Sequence, residues 1–183
     1  MRIEETDLPG LYIVHNKAFY DERGAFVKTF NEETFKHLGL VSEFRESFYS
    51  VSKKGVIRGM HFQLPPAAHV KLVYVIHGKI VDVVADIRKN SPTYGQYKAI
   101  ELSSDAPCSL YIPIGFAHGF ETISEDAIVV YMTTTVHNPK YDSGIRWDSF
   151  GYKWSTKMPI ISRRDQKHPT LAEFESPFSY GGQ

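Results

Sequence analysis

Apolar and polar residues alternate in short runs along most of the chain. "KLVYVI" (71–76), "KIVDVVADI" (79–87), "QYKAIEL" (96–102), "CSLYI" (108–112) and "AIVVYMTTTV" (127–136) are rich in β-branched and aromatic residues. Turn clusters separate them: Lys89-Asn90-Ser91-Pro92, Ser103-Ser104-Asp105 and Ser124-Glu125-Asp126. Many short strands at this spacing predict a sandwich or barrel, such as a double-sheet jelly roll. His77-Gly78, between the first two runs, reads as a two-residue hairpin turn. One stretch reads as helix, "NEETFKHLG" (31–39), with Asn31 as its cap, Glu32 and Glu33 at the positive end of the dipole, and Gly39 to end it. From Asn138 onward Pro, Gly, Ser and Trp crowd together, which predicts an irregular wrap with one short helix. The expectation is a single all-β domain over 1–183, with a core at about 45–137 and a C-terminal wrap over 138–183.

Composition narrows the partners. Of 183 residues, 21 are Lys or Arg and 21 are Asp or Glu, so the formal charge is zero and the chain as a whole has no pull toward nucleic acid or an anionic membrane. An anionic ligand would need a local basic pocket. The only cysteine, Cys108, cannot form an intrachain disulfide, which fits a reducing cytoplasm. The acidic start "MRIEETDLPG" lacks the apolar core of a signal peptide, and no apolar run is long enough to span a membrane. An aromatic content of 14% suggests a heavily packed β-core or a ring-lined pocket.

Several polar residues interrupt these strands. Taken singly, each has a plain structural reading: His61 as a backbone-bonded edge residue, Lys71 as an edge-strand charge that blocks aggregation, Tyr131 as a half-buried strand tyrosine, and "SRRDQKH" (162–168) as a solvated surface run. Each also has a chemical reading. His61 can serve as a base, Lys71 can face an anionic ligand, Tyr131 can give a proton, Asp165 can orient a histidine, and Arg164 can meet phosphate bidentately. In "YIPIGFAHGF" (111–120) a Pro-Gly turn leads into a strand that aims His118 inward. A jelly-roll metal site would take ligands from the first hairpin, but Gln63 stands where a second His is expected and the following Glu is absent. His61 and His118 alone do not hold an ion well, His69 being the one substitute donor, so no metal is expected.

Together and in order, "DERGAF" (21–26), "GVIRGMHFQLPP" (55–66), the run 71–95, "YIPIGFAHGF", "GIRWD" (144–148) and "ISRRD" (161–165) resemble the dTDP-4-dehydrorhamnose 3,5-epimerase family, a cupin-type jelly roll. The resemblance spans nearly the whole chain. It implies a homodimeric enzyme without metal or cofactor, acting on a nucleotide-linked 4-keto-6-deoxy sugar. By that resemblance His61 is the base, Asp165 its acid partner, Lys71 the group meeting the enolate oxygen, and Tyr131 the residue returning a proton from the opposite face. Arg58, Gln63 and His118 match the lining of the sugar and phosphate pocket. Arg23 matches a diphosphate contact lent to the neighbouring subunit, with Phe26 in the same motif, and Arg164 matches a basic residue near that group.

The sequence departs from the family pattern at substrate contacts. Lys28 stands in place of a Glu, Glu46 and Phe48 in place of a Gln and an Asn, and Val136-His137 in place of a Tyr-Tyr pair. Glu46 would repel a diphosphate unless a cation such as Arg45 neutralised it. These changes predict altered nucleotide or sugar specificity, or inversion at only one of C3 and C5. The rival readings are a 3,4-ketoisomerase of the same fold, a metal-dependent cupin enzyme, and a non-catalytic nucleotide-sugar binding module.

Overall fold

The computed structural model describes residues 1–181. Eleven strands dominate: β1 (Arg2–Glu5), β2 (Tyr12–His15), β3 (Lys17–Asp21), β4 (Gly24–Lys28), β5 (Glu46–Lys53), β6 (Ile57–Gln63), β7 (Lys71–Asp86), β8 (Tyr97–Ser103), β9 (Cys108–Ile112), β10 (Phe116–Thr133) and β11 (Asp142–Gly144). The predicted helix forms as α1 (Glu32–His37), where the Asn31 side chain accepts from the Thr34 amide and Phe35 is fully buried. No helix among the described residues is long and apolar enough to cross a membrane.

The expected jelly roll forms, and two long strands make it. β7 and β10 pair antiparallel along almost their whole length, and each serves both layers. The first half of β7 pairs β9, which continues through β2 to β1, while its second half pairs β8. The second half of β10 pairs β5, and its first half pairs β6, which continues to β11. β1 and β2, which precede residue 45, thus extend the sheet. Apolar side chains fill the space between the layers: Val73, Ile80, Leu110, Phe120 and Val129 belong to one buried cluster, and Met60, Val83, Ala117 and Ile145 to the next.

His77-Gly78 makes no hairpin turn; the two runs flanking it form one continuous strand. The register against β10 shifts at this point, where Gly78 lies opposite Ala127. Gly78 has φ +74°, and a Cβ there would lie 2.1 Å from the Asp126 carbonyl oxygen. The glycine that looked like a turn residue instead serves a bulge that bends β7 from one layer to the other. Lys71 is not on a sheet edge either, because β7 lies between β9 and β10.

β3 and β4 form a separate two-stranded hairpin. It carries Phe19, Tyr20 and Phe26, all substantially exposed. Residues after β11 wrap over the barrel. The buried Glu121 carboxylate anchors them by accepting from the Ser155 amide and hydroxyl and the Thr156 amide.

Candidate active site

The barrel encloses a cavity of about 330 Å3, lined among others by Phe48, Ser50, Arg58, His61, Lys71 and Tyr131. Alternation along the strands explains the convergence: residues two apart on a pleated strand share a face. β6 supplies His61, which lies opposite His118 of β10. β7 supplies Lys71, and the far half of β10 supplies Tyr131, opposite Phe48 of β5.

His61 Nε2 lies 2.8 Å from Asp165 Oδ1. Asp165 opens the 3-10 turn Asp165–Lys167 and is 2% exposed, 104 residues away in sequence. Its other oxygen accepts from the Gly59 amide at 3.2 Å. Gly59 has φ +139°, and a Cβ there would sit 2.6 Å from the Gly119 Cα, so only glycine lets β6 approach β10 this closely. Burial opposes the charge on Asp165, yet the hydrogen bonds from His61 and Gly59 hold its carboxyl well below the usual carboxylate range. Burial also lowers the His61 pKa, and this outweighs the raising effect of Asp165. The pair therefore rests as a neutral imidazole beside a carboxylate. An ionised carboxylate only accepts, so Nε2 carries the proton and Nδ1 carries the free lone pair. An Arg164 NH2 group lies 2.8 Å from the same Nε2. A guanidinium cannot donate to a protonated nitrogen, so Arg164 is the partner that yields; Asp142 holds its other nitrogen and its head is half exposed.

Lys71 Nζ donates to the His61 carbonyl at 3.1 Å. Burial pulls its pKa down to about 8, against the raising influence of Asp142 and Asp82. Tyr131 is 8% exposed, and burial pushes its phenol well above the usual value. Its ring stacks on Phe48, with centroids 4.8 Å apart and planes at 16°. His118 Nε2 lies 2.8 Å from Asp82 Oδ2, and Asp82 is fully buried, so the cavity wall contains a second imidazole–carboxylate pair. Asp82 could have been noticed as the one acid among the apolar residues of "IVDVVA".

The remaining expected contacts divide. Arg58 lines the cavity, with Nε bonded to Ser52 Oγ and NH2 to the Val51 carbonyl. Gln63 lines it too, but its amide donates to Ala67 O and lies 3.1 Å from His69 Nδ1, while its oxygen accepts from the Asn138 amide. Gln63 therefore ties two loops together and has little capacity left for a ligand. His137 lies on the rim, where its amide donates to Glu46 at 2.8 Å; among the described residues Glu46 has no ion-pair partner, Arg45 included. Arg23 and Phe26 line a separate concavity on the β3–β4 hairpin, and Lys28 ends that hairpin, so none of the three lines the cavity. Arg23 pairs with Asp21 and is largely solvent-exposed.

Donor atoms of His61, Asp165 and His168 lie within 4.8 Å of one another, the only such trio among the described residues. His61 and Asp165 are already bonded to each other, and the Arg164 guanidinium lies against the same imidazole nitrogen. Even without a bond to His61, the Arg164 guanidinium stays beside the dyad through Asp142 and Asp165, and its charge disfavours a cation there, so the residues fit a dyad better than a metal centre.

A jelly roll whose cavity combines a carboxylate-backed imidazole, a buried phenol and a weakly basic ammonium defines a cupin-type site equipped to move protons on and off carbon. The profile of the dTDP-4-dehydrorhamnose 3,5-epimerase family matches residues 5–173, and the chain belongs to that family. A dTDP-4-dehydrorhamnose 3,5-epimerase from Methanothermobacter thermautotrophicus is 43% identical over 177 residues, covering 94% of this chain and 95% of the relative. The structure of a dTDP-6-deoxy-D-glucose-3,5-epimerase from Legionella pneumophila, in complex with dTDP-4-keto-L-rhamnose, superposes with TM-score 0.91 at 32% identity, covering 95% of this chain and 94% of that one. A 3'-monoepimerase from Streptomyces bikiniensis, in complex with dTDP-quinovose, superposes with TM-score 0.86 at 26% identity, covering 91% and 86%.

Proposed function

We propose that this chain inverts C3, C5 or both in a nucleotide-linked 4-keto-6-deoxy sugar, without metal or cofactor. The observation that carries the reading is the His61–Asp165 pair, which shares one cavity with Lys71 and Tyr131. A C–H beside a ketone is a weak acid, and its removal needs a base and a cation near the oxygen that becomes negative. His61 Nδ1 takes the proton, and Asp165 stabilises the imidazolium that results. Lys71 meets the enolate oxygen at C4. Tyr131 returns a proton from the other face, since one imidazole cannot serve both. Arg58 and Arg164 supply cationic groups for the diphosphate, and His118 lines the sugar pocket.

The ligands of the Legionella and Streptomyces relatives support a dTDP-sugar as substrate. Phe48, Glu46 and His137 at the rim alter the contact surface and favour a changed sugar or nucleotide preference. The exposed β3–β4 hairpin, with Phe26, Arg23 and Lys28, supports a homodimer in which each copy lends this arm to the other's cavity. The single free Cys108 fits a cytoplasmic setting.

Incubation with dTDP-, CDP- and GDP-linked 4-keto-6-deoxyglucose in deuterated water, followed by NMR, tests the proposal. Deuterium entering at C3 or C5 with inversion is the expected result. No exchange with any of the three sugars would refute it.

A further inference from the structure

β5 forms the wall against which Tyr131 stands. Phe48 lies opposite Tyr131 and Ser50 opposite Val129, so Phe48 and Ser50 face the same side of the sheet as the phenol. Phe48 stacks on the ring and fixes its plane. Ser50 Oγ lies 3.1 Å from Tyr131 Oη, and both residues line the cavity. Among the described residues this is the only side-chain hydrogen bond of either hydroxyl. In the sequence it is one of two serines in "FYSVS", with no local mark that separates it from Ser52.

A phenol that protonates carbon has one proton to give. If that proton is bonded to Ser50, it points at the wall. If Ser50 donates instead, the phenol proton is free to turn into the cavity, and Tyr131 Oη accepts a hydrogen bond that strengthens once it becomes phenolate. Burial alone makes that phenolate costly.

We infer that Ser50 is the positioning residue for the Tyr131 acid, donating its hydroxyl hydrogen to Oη so that the phenol proton is aimed at the sugar and the phenolate is stabilised after transfer. This rests on the role given to Tyr131 above. In that step the Tyr131 O–H bond breaks and a C–H bond forms on the face opposite His61. The enolate electron pair becomes the new bond, the C4 carbonyl reforms, and solvent later restores the phenol proton and takes the one on His61.

The role predicts a split between two readouts. A proton returned by His61 gives exchange without inversion, and a proton returned by Tyr131 gives inversion. With dTDP-4-keto-6-deoxyglucose in deuterated water, Ser50→Ala in the full chain should keep deuterium exchange within about twofold of wild type. Its ratio of inversion to exchange should fall roughly 10- to 100-fold, the size of one hydrogen bond to a charged group. Ser50→Thr, which retains the hydroxyl, should restore the ratio to within about threefold. Exchange and inversion falling in parallel, or a ratio unchanged in Ser50→Ala, would overturn the inference while leaving the epimerase reading intact. A wild-type protein that exchanges nothing would remove both.

Discussion

Replacing Lys71 with Met should make the protein more stable and less active, by amounts that follow from its burial. Lys71 is partly buried on a central strand, and its pKa is drawn from the ordinary 10.5 down to about 8. With the pKa lowered that far, holding the ammonium in the fold costs about 3 kcal/mol at neutral pH. Met fills similar space without a charge but loses the bond to the His61 carbonyl, worth about 1 kcal/mol. The net gain is about 2 kcal/mol at pH 7, or a rise in Tm of about 4–8 °C for a chain of this length. The sign with pH is fixed by linkage. Below about 8 both the folded and the unfolded chain carry the proton, and the penalty is complete; between about 8 and 10.5 only the unfolded chain carries it, so wild-type stability rises with pH. Above 10.5 the advantage of Met should vanish. Activity should fall roughly 100- to 1000-fold, the usual loss when a group stabilising an oxyanion is removed. Urea unfolding at pH 7 and pH 10.5, with turnover assayed on the same preparations, measures both effects. A variant no more stable than wild type at pH 7, or equally advantaged at both pH values, would refute the reasoning.

Other outcomes follow from the same geometry. The pH profile of turnover should be bell-shaped: activity rises with pH as His61 loses its proton, below its ordinary 6.5, and falls as Lys71 loses its own at about 8. Initial rates across pH 5–9 should show both limbs, and Lys71→Met should lack the upper one. Asp165→Asn should lower turnover by roughly three to four orders of magnitude, since an amide can hold the wrong imidazole tautomer; substrate affinity by calorimetry should change far less. Gly78→Ala should destabilise the fold by roughly 2–5 kcal/mol in denaturant titration, because the new Cβ adds a clash with the Asp126 carbonyl to the cost of a positive φ.

The strand pattern of the barrel was legible because alternation and turn clusters are local signals, and Asn31 announced its helix for the same reason. The bend at His77-Gly78 is not legible locally, because a polar-glycine pair between two apolar runs looks alike in a hairpin and in a bulge; only the partner strand β10, forty to fifty residues later, distinguishes them. Single residues of the site were ambiguous. Nothing local links His61 to Asp165, and it was the ordered set of motifs resembling one family that joined them. That same set names Gln63 as a pocket residue; it lines the cavity, with its amide engaged by the loops around it. The roles of Ser50 and Asp82 carry no local signal, because they depend on what lies across the sheet, at Tyr131 and His118.

The central claim is that His61 removes a proton from carbon. Its most direct test compares wild type with His61→Ala on dTDP-4-keto-6-deoxyglucose in deuterated water, with binding of the sugar nucleotide measured alongside. The account predicts that the variant still binds but incorporates no deuterium at C3 or C5. Exchange at the wild-type rate in the variant would contradict it.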